Sequence, residues 1–75
     1  MYPKFDCKVI TDEANYYFDI FEEENNTADH NAVEYVLAHF PNEGLIGGSS
    51  RKNEGIKQDE KSLDLVKREK DKKLF

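Results

Sequence analysis

Thr11-Asp12-Glu13-Ala14-Asn15-Tyr16-Tyr17-Phe18-Asp19-Ile20-Phe21-Glu22-Glu23-Glu24 decides the fold, because it can be read in two periods. Read in twos, Thr11 to Asn15 is a turn, with Asn15 suited to a left-handed conformation, and Tyr16 to Phe21 or Glu22 is a strand dominated by β-favouring aromatics. That strand would pair with one over Lys4 to Ile10, where Phe5, Cys7 and Val9 alternate with Lys4, Asp6 and Lys8. Tyr16, Phe18 and Ile20 then share one face, and Tyr17, Asp19 and Phe21 the other. Read in the helical period, Ala14, Tyr17, Phe18 and Phe21 fall at i, i+3, i+4 and i+7 behind a Thr11-Asp12-Glu13 start. The hairpin is the expectation, and the helix over residues 12–24 is its alternative.

Downstream, a helix is expected near Ala28 to Phe40, with Thr27 and Asp29 as candidate N-caps. Ala32, Val33, Val36, Leu37 and Phe40 make one apolar stripe, Pro41 stops the helix, and Gly44 lies just beyond. Residues 45–56 are rich in Gly and Ser and read as a flexible loop, from which Leu45 and Ile46 could dock or add a short strand. Residues 57–75 are charge-dense. Leu63 and Val66 three apart, Ser62 as a cap, and Glu69 with Lys73 suggest a solvated helix or tail. The expected class is therefore a small single α+β domain. An N-terminal antiparallel hairpin packs on one central helix over an acidic core at residues 1–44, followed by the loop and a charged C-terminal helix. An all-α helical hairpin is the alternative.

Seventy-five residues with 37% hydrophobic and 36% charged composition permit one small core, which dimerisation would enlarge. No run approaches the ~18 apolar residues that span a bilayer, and no apolar secretion segment follows Met1, so a soluble cytoplasmic chain is expected. The single cysteine, Cys7, sits in an alternating run and reads as a small buried hydrophobe. Charge is unevenly spread. Residues 1–43 hold ten acids against Lys4 and Lys8, a net of −8, and residues 44–75 hold nine bases against six acids, so the −5 chain is an acidic body with a basic tail.

These patterns disfavour catalysis. Gly44 to Lys52 lacks the spacing of a phosphate-binding loop, and His30 and His39 are nine residues apart rather than at chelating i, i+4 spacing. Glu22 and Glu24 show no sign of desolvation, and Ser49, Ser50 and Ser62 have no recognisable base arranged around them. No catalytic residue, metal site or cofactor is expected. Direct nucleic-acid binding through Arg51, Lys52 and residues 67–73 is disfavoured because acids interleave with the bases. The acidic body is the stronger signal. A compact negative field is drawn to a surface lined with Lys and Arg, and aromatics beside it can anchor the contact. The candidate partner-binding residues are Asp12, Glu13, Tyr17, Asp19, Phe21, Glu22, Glu23, Glu24, Asp29 and Glu34. They suggest a DNA-mimic-like inhibitor that blocks the basic surface of a host DNA-processing protein, such as a replication factor. Such a protein is of a kind that bacteriophages carry into the host cytoplasm. The alternative is a regulatory or antitoxin-like adaptor whose C-terminal segment folds on a protein partner, and a homodimer fits either reading.

Overall fold

A computed structural model describes residues 1–70, which form β1 (Tyr2–Thr11), β2 (Ala14–Phe21), α1 (Asn25–His39), β3 (Leu45–Gln58) and β4 (Ser62–Lys70). The strands make one antiparallel sheet in the order β3-β1-β2-β4. β1 and β2 are joined by a two-residue turn and pair with Lys4 opposite Phe21 and Val9 opposite Tyr16. Their alternation therefore turns Phe5, Cys7, Val9, Tyr16, Phe18 and Ile20 to one face, where Ala28, Ala32 and Val36 of α1 cover them. Burying a side chain the size of Phe18 or Ile20 contributes about 1.5–3 kcal/mol, so these few residues carry most of the apolar stabilisation.

A four-stranded antiparallel sheet bearing one helix overturns the expected fold class and the all-α alternative. Residues 45–56 are not a flexible loop. They lie in β3, which runs along β1 from Leu45 opposite Thr11 to Gln58 opposite Tyr2. The expected C-terminal helix is instead β4, paired to β2 from Ser62 opposite Phe21 to Lys70 opposite Ala14; residues 71–75 of that expectation lie outside the described residues. The competing helix over 12–24 is replaced by the turn and β2. The helical alternative gives way because the aromatics of Tyr16 to Phe21 favour a strand, while β3 and β4 share another reason. The central hairpin offers two open edges of backbone N–H and C=O groups, and pairing along them outweighs the low strand preference of Gly and Ser.

Smaller expectations change as well. No non-glycine residue among those described has a positive φ, so Asn15 is not left-handed. The turn is held by Thr11 Oγ1, which accepts from the Glu13 and Ala14 amides at 3.2 and 3.0 Å. Gly44 clips onto it through its amide to Asp12 Oδ1 and its carbonyl from the Asp12 amide, both 2.9 Å. α1 begins at Asn25 with Glu24 in the extended N-cap position and no side-chain cap, so neither Thr27 nor Asp29 caps it. Leu37, expected in the apolar stripe, is 45% exposed. Among the described residues no helix is long and apolar enough to cross a membrane.

Candidate interaction surfaces

Because α1 covers one face, the other face of the sheet is open, and the register orders it in rows that cross the strands. Ser49, Lys8, Tyr17 and Lys67 form one row, drawn in turn from β3, β1, β2 and β4. The next row is Arg51, Asp6, Asp19 and Asp64, and the one after it Asn53, Lys4, Phe21 and Ser62. Lys8 and Lys67 stand over the Tyr17 ring at 5.5 and 5.8 Å from its centroid. In the acidic row, like charges sit directly opposite one another, an arrangement that destabilises a sheet unless something intervenes. Lys4 intervenes, with Nζ 3.3 Å from Asp6 and 3.4 Å from Asp19, and Asn53 donates to Asp6 at 3.2 Å. Burial is the largest influence on Lys4 and acts to lower its pKa, yet the hydrogen bonds and charges of the two aspartates together raise it above its ordinary value. Asp64, at the end of the row, has no ion pair among the described residues.

The helix-bearing side and the rim carry the excess charge. Of the fifteen acidic and nine basic side chains in residues 1–70, the open face takes four of each, namely Asp6, Asp19, Asp64 and Glu69 with Lys4, Lys8, Arg51 and Lys67. The remaining eleven acids and five bases leave −6 on the other side and its edges. Within that side, two carboxylates serve the fold. Glu43 Oε1 accepts from Thr11 and from the Tyr16 hydroxyl, each at 2.6 Å, while Arg68 reaches Glu43 Oε2 and the Tyr16 hydroxyl, each at 2.9 Å. Burial pushes Glu43 up most strongly, but the three donors together hold it below the usual carboxylate range. Tyr16, whose ring packs 4.8 Å from that of Phe40, is shifted up by burial and by its bond to Glu43. At the opposite end Glu22 is buried and receives the Glu23 amide at 3.0 Å, Asn31 at 3.3 Å and Lys61 at 3.0 Å. The Glu23 amide is the main reason that its pKa is low.

The ten candidate partner-binding residues are thus not brought together. Tyr17, Asp19 and Phe21 face out from the open sheet, Asp19 tied to Lys4. Glu22 is withdrawn into its ion pair with Lys61 and cannot present a free carboxylate. Asp29 is half-buried against β3, where its Oδ1 lies near Gly48. Asp12 and Glu13 are exposed at the β1–β2 turn, and Glu23 and Glu24 are exposed beyond the far end of β2. Eight residues of strand at about 3.3 Å each put these two acidic ends roughly 25 Å apart. Glu34 is exposed on α1 beside His30, 3.2 Å away. His39 stacks on Tyr35 at 3.9 Å and donates through Nδ1 to its carbonyl. Cys7 is buried, its thiol pushed up to about 12 by desolvation first and by nearby aspartates second.

Sequence reasoning missed the Glu43–Tyr16–Arg68 cluster and the β4 members of the rows. The alternation of β1 and β2 gave the inner columns. The outer ones depend on a register that joins residues about fifty apart, for which the sequence carries no local sign. Comparison of the chain with protein-family models, with curated proteins and with solved structures finds no match.

Proposed function

We propose that this is a non-enzymatic binding protein whose acidic side occupies the basic, nucleic-acid-binding surface of a DNA-processing protein in the cytoplasm of a bacterial host. The observation that carries this reading is the division of charge among the described residues, with the open sheet face neutral and −6 on the helix-bearing side and rim. Exposed carboxylates lie at its two ends, Asp12 and Glu13 at one and Glu23 and Glu24 at the other, in place of the single compact field expected from sequence. Glu34 lies on α1 of the same side. A partner lined with Lys and Arg is steered by this field and gives up the counterions it would otherwise exchange for phosphates.

The test is affinity capture from bacterial lysate, followed by titration of the recovered partner against DNA. A basic-surfaced DNA-processing protein is expected, released by DNA and by ~0.5 M salt, where the Debye length is well below that at physiological ionic strength. Glu23→Gln with Glu24→Gln is expected to weaken that binding, whereas Asp64→Asn on the opposite face is not. Partners without a basic surface, or binding indifferent to salt, would overturn the proposal.

A further inference from the structure

The open face of the sheet is self-complementary, and we infer that it is the contact surface for a second copy of this chain. The adjacent rows Lys8–Tyr17–Lys67 and Asp6–Asp19–Asp64 have opposite sign and occupy the same three strands in the same order. A twofold axis running across the strands, midway between the two rows and in the plane between two facing sheets, exchanges them. Each strand then lies over its own counterpart in the other copy, running the opposite way. Lys8 faces Asp6 of the partner subunit, Lys67 faces Asp64 of the partner subunit, and the Tyr17 ring faces Asp19 of the partner subunit.

Three features of the single chain support this occupant. Asp64, Lys8 and Arg51 stand on this face without an ion pair among the described residues, and the twofold arrangement supplies opposite charges to the first two; Lys67, already 3.3 Å from Glu69 of its own strand, gains Asp64 of the partner subunit as a second carboxylate. Asp19 and Asp64 lie directly across β2 and β4 with only Asp19 bridged, to Lys4, and an apposed Lys67 of the partner subunit relieves that repulsion. The third feature is size. Four strands at about 4.8 Å spacing and four rows at about 6.7 Å give a face of roughly 500 Å² per copy, or about 1,000 Å² for the pair, the lower bound for a specific interface. Aligned sheet packing tolerates the angle of about 30° that strand twist imposes. The arrangement also goes beyond the proposed function without resting on it, since it leaves both helix-bearing acidic sides facing outward.

The experiment measures mass by light scattering and sedimentation for the full chain and for the charge reversals Lys67→Glu and Asp64→Lys. Both positions are exposed on an edge strand, and thermal melts establish that each variant is folded. The wild type is expected at twice the 8.7 kDa chain mass at low salt, shifting toward the monomer at ~0.5 M salt. Each reversal replaces two symmetric attractions by repulsions and is expected to weaken association by about tenfold or more. Mixing the two reversed chains should restore the doubled mass, because glutamate at 67 then meets lysine at 64 and lysine at 67 meets Asp64. Lys8→Glu provides a third reversal, expected to behave as Lys67→Glu does. A wild type that stays monomeric at ~0.5 mM, a dimer unmoved by either reversal, or a mixture that fails to reassociate would overturn the inference.

Discussion

At the scale of single residues, charge is used first to close the fold. Glu43 joins the turn (Thr11), the core (Tyr16) and the last described strand (Arg68), so its carboxylate is worth more than one on open surface. Replacing it by glutamine keeps one acceptor but removes the charge, with an expected loss of about 1–2 kcal/mol at neutral pH. The sign of the pH dependence follows from its depressed pKa. In the unfolded chain the carboxyl titrates near the ordinary 4.5, so its contribution is complete above that value and disappears as pH falls through the lower folded value. Urea denaturation of Glu43→Gln and wild type should therefore show a gap at pH 7 that narrows below about pH 4.5. Glu22, lowered chiefly by the Glu23 amide, adds to the same acid sensitivity of the wild type.

Lys4 shows the same economy on the open face. Lys4→Met leaves Asp6 and Asp19 opposed across β1 and β2 and should cost about 1 kcal/mol, discounted because both aspartates are partly exposed. Adding Asp19→Asn should recover most of that loss. A double-mutant cycle measures the recovery, and strictly additive effects would show that the lysine is not bridging the pair.

At the scale of elements, β3 separates what the sequence makes legible from what it hides. A Gly-Gly-Ser-Ser run has the composition of a linker, but its glycines have different tasks. A Cβ at Gly48 would come within 3.1 Å of the Lys8 carbonyl oxygen and 3.6 Å of Asp29 Oδ1, so Gly48 lets α1 and β1 approach closely. Gly55 has φ +86°, close to the bulge at the far end of β3. Gly47 meets nothing within 4 Å. Gly48→Val should destabilise by about 1–3 kcal/mol and Gly55→Ala by about 1 kcal/mol. Gly47→Val should be neutral or stabilising by up to about 1 kcal/mol through lower unfolded-state entropy and better strand preference. Thermal melts of the three distinguish a strand from a flexible loop, in which all three changes would be nearly silent.

β4 was hidden for a different reason. Ser62, Leu63, Asp64 and Leu65 alternate as a strand should, and Leu63 and Leu65 do pack against the core. The bulge at Val66 then adds a residue, which leaves Leu63 and Val66 at helical spacing and puts Lys67 back on the open face. β1 and α1 were legible because each keeps one period from end to end, and β2 because its aromatics favour a strand over the helix that its spacing also admits. The acidic candidates were legible by residue type, but the internal partners that withdraw Glu22 and Asp19 come from Lys61 and Lys4. The first of these is set by tertiary structure alone.

At the scale of the whole molecule, the N-terminal half is acidic and the C-terminal half basic, yet neither forms a separate body. β3 and β4 share no edge. They flank the hairpin on opposite sides, and residues 59–61 carry the chain across its end, where Lys61 pairs with Glu22 and Gln58 donates to Ser62 at 2.8 Å. Sequence-distant pairs such as Tyr2 with Gln58 and Ala14 with Lys70 therefore complete the sheet, and closing such loops must precede the reward of pairing. A chain ending at residue 44 keeps the hairpin and α1 but loses both flanking strands, the apolar cover of Leu63 and Leu65, and the Arg68 partner of Glu43. A two-stranded sheet under one helix is marginal at this size. The 1–44 fragment should accordingly show no cooperative thermal transition by circular dichroism and rapid amide exchange throughout β1. The full chain should melt in a single transition with its slowest exchange in β1 and β2, the two strands bonded on both sides. A cooperative transition in the fragment would mean that the hairpin and helix are stable alone and that β3 and β4 are additions to an existing fold.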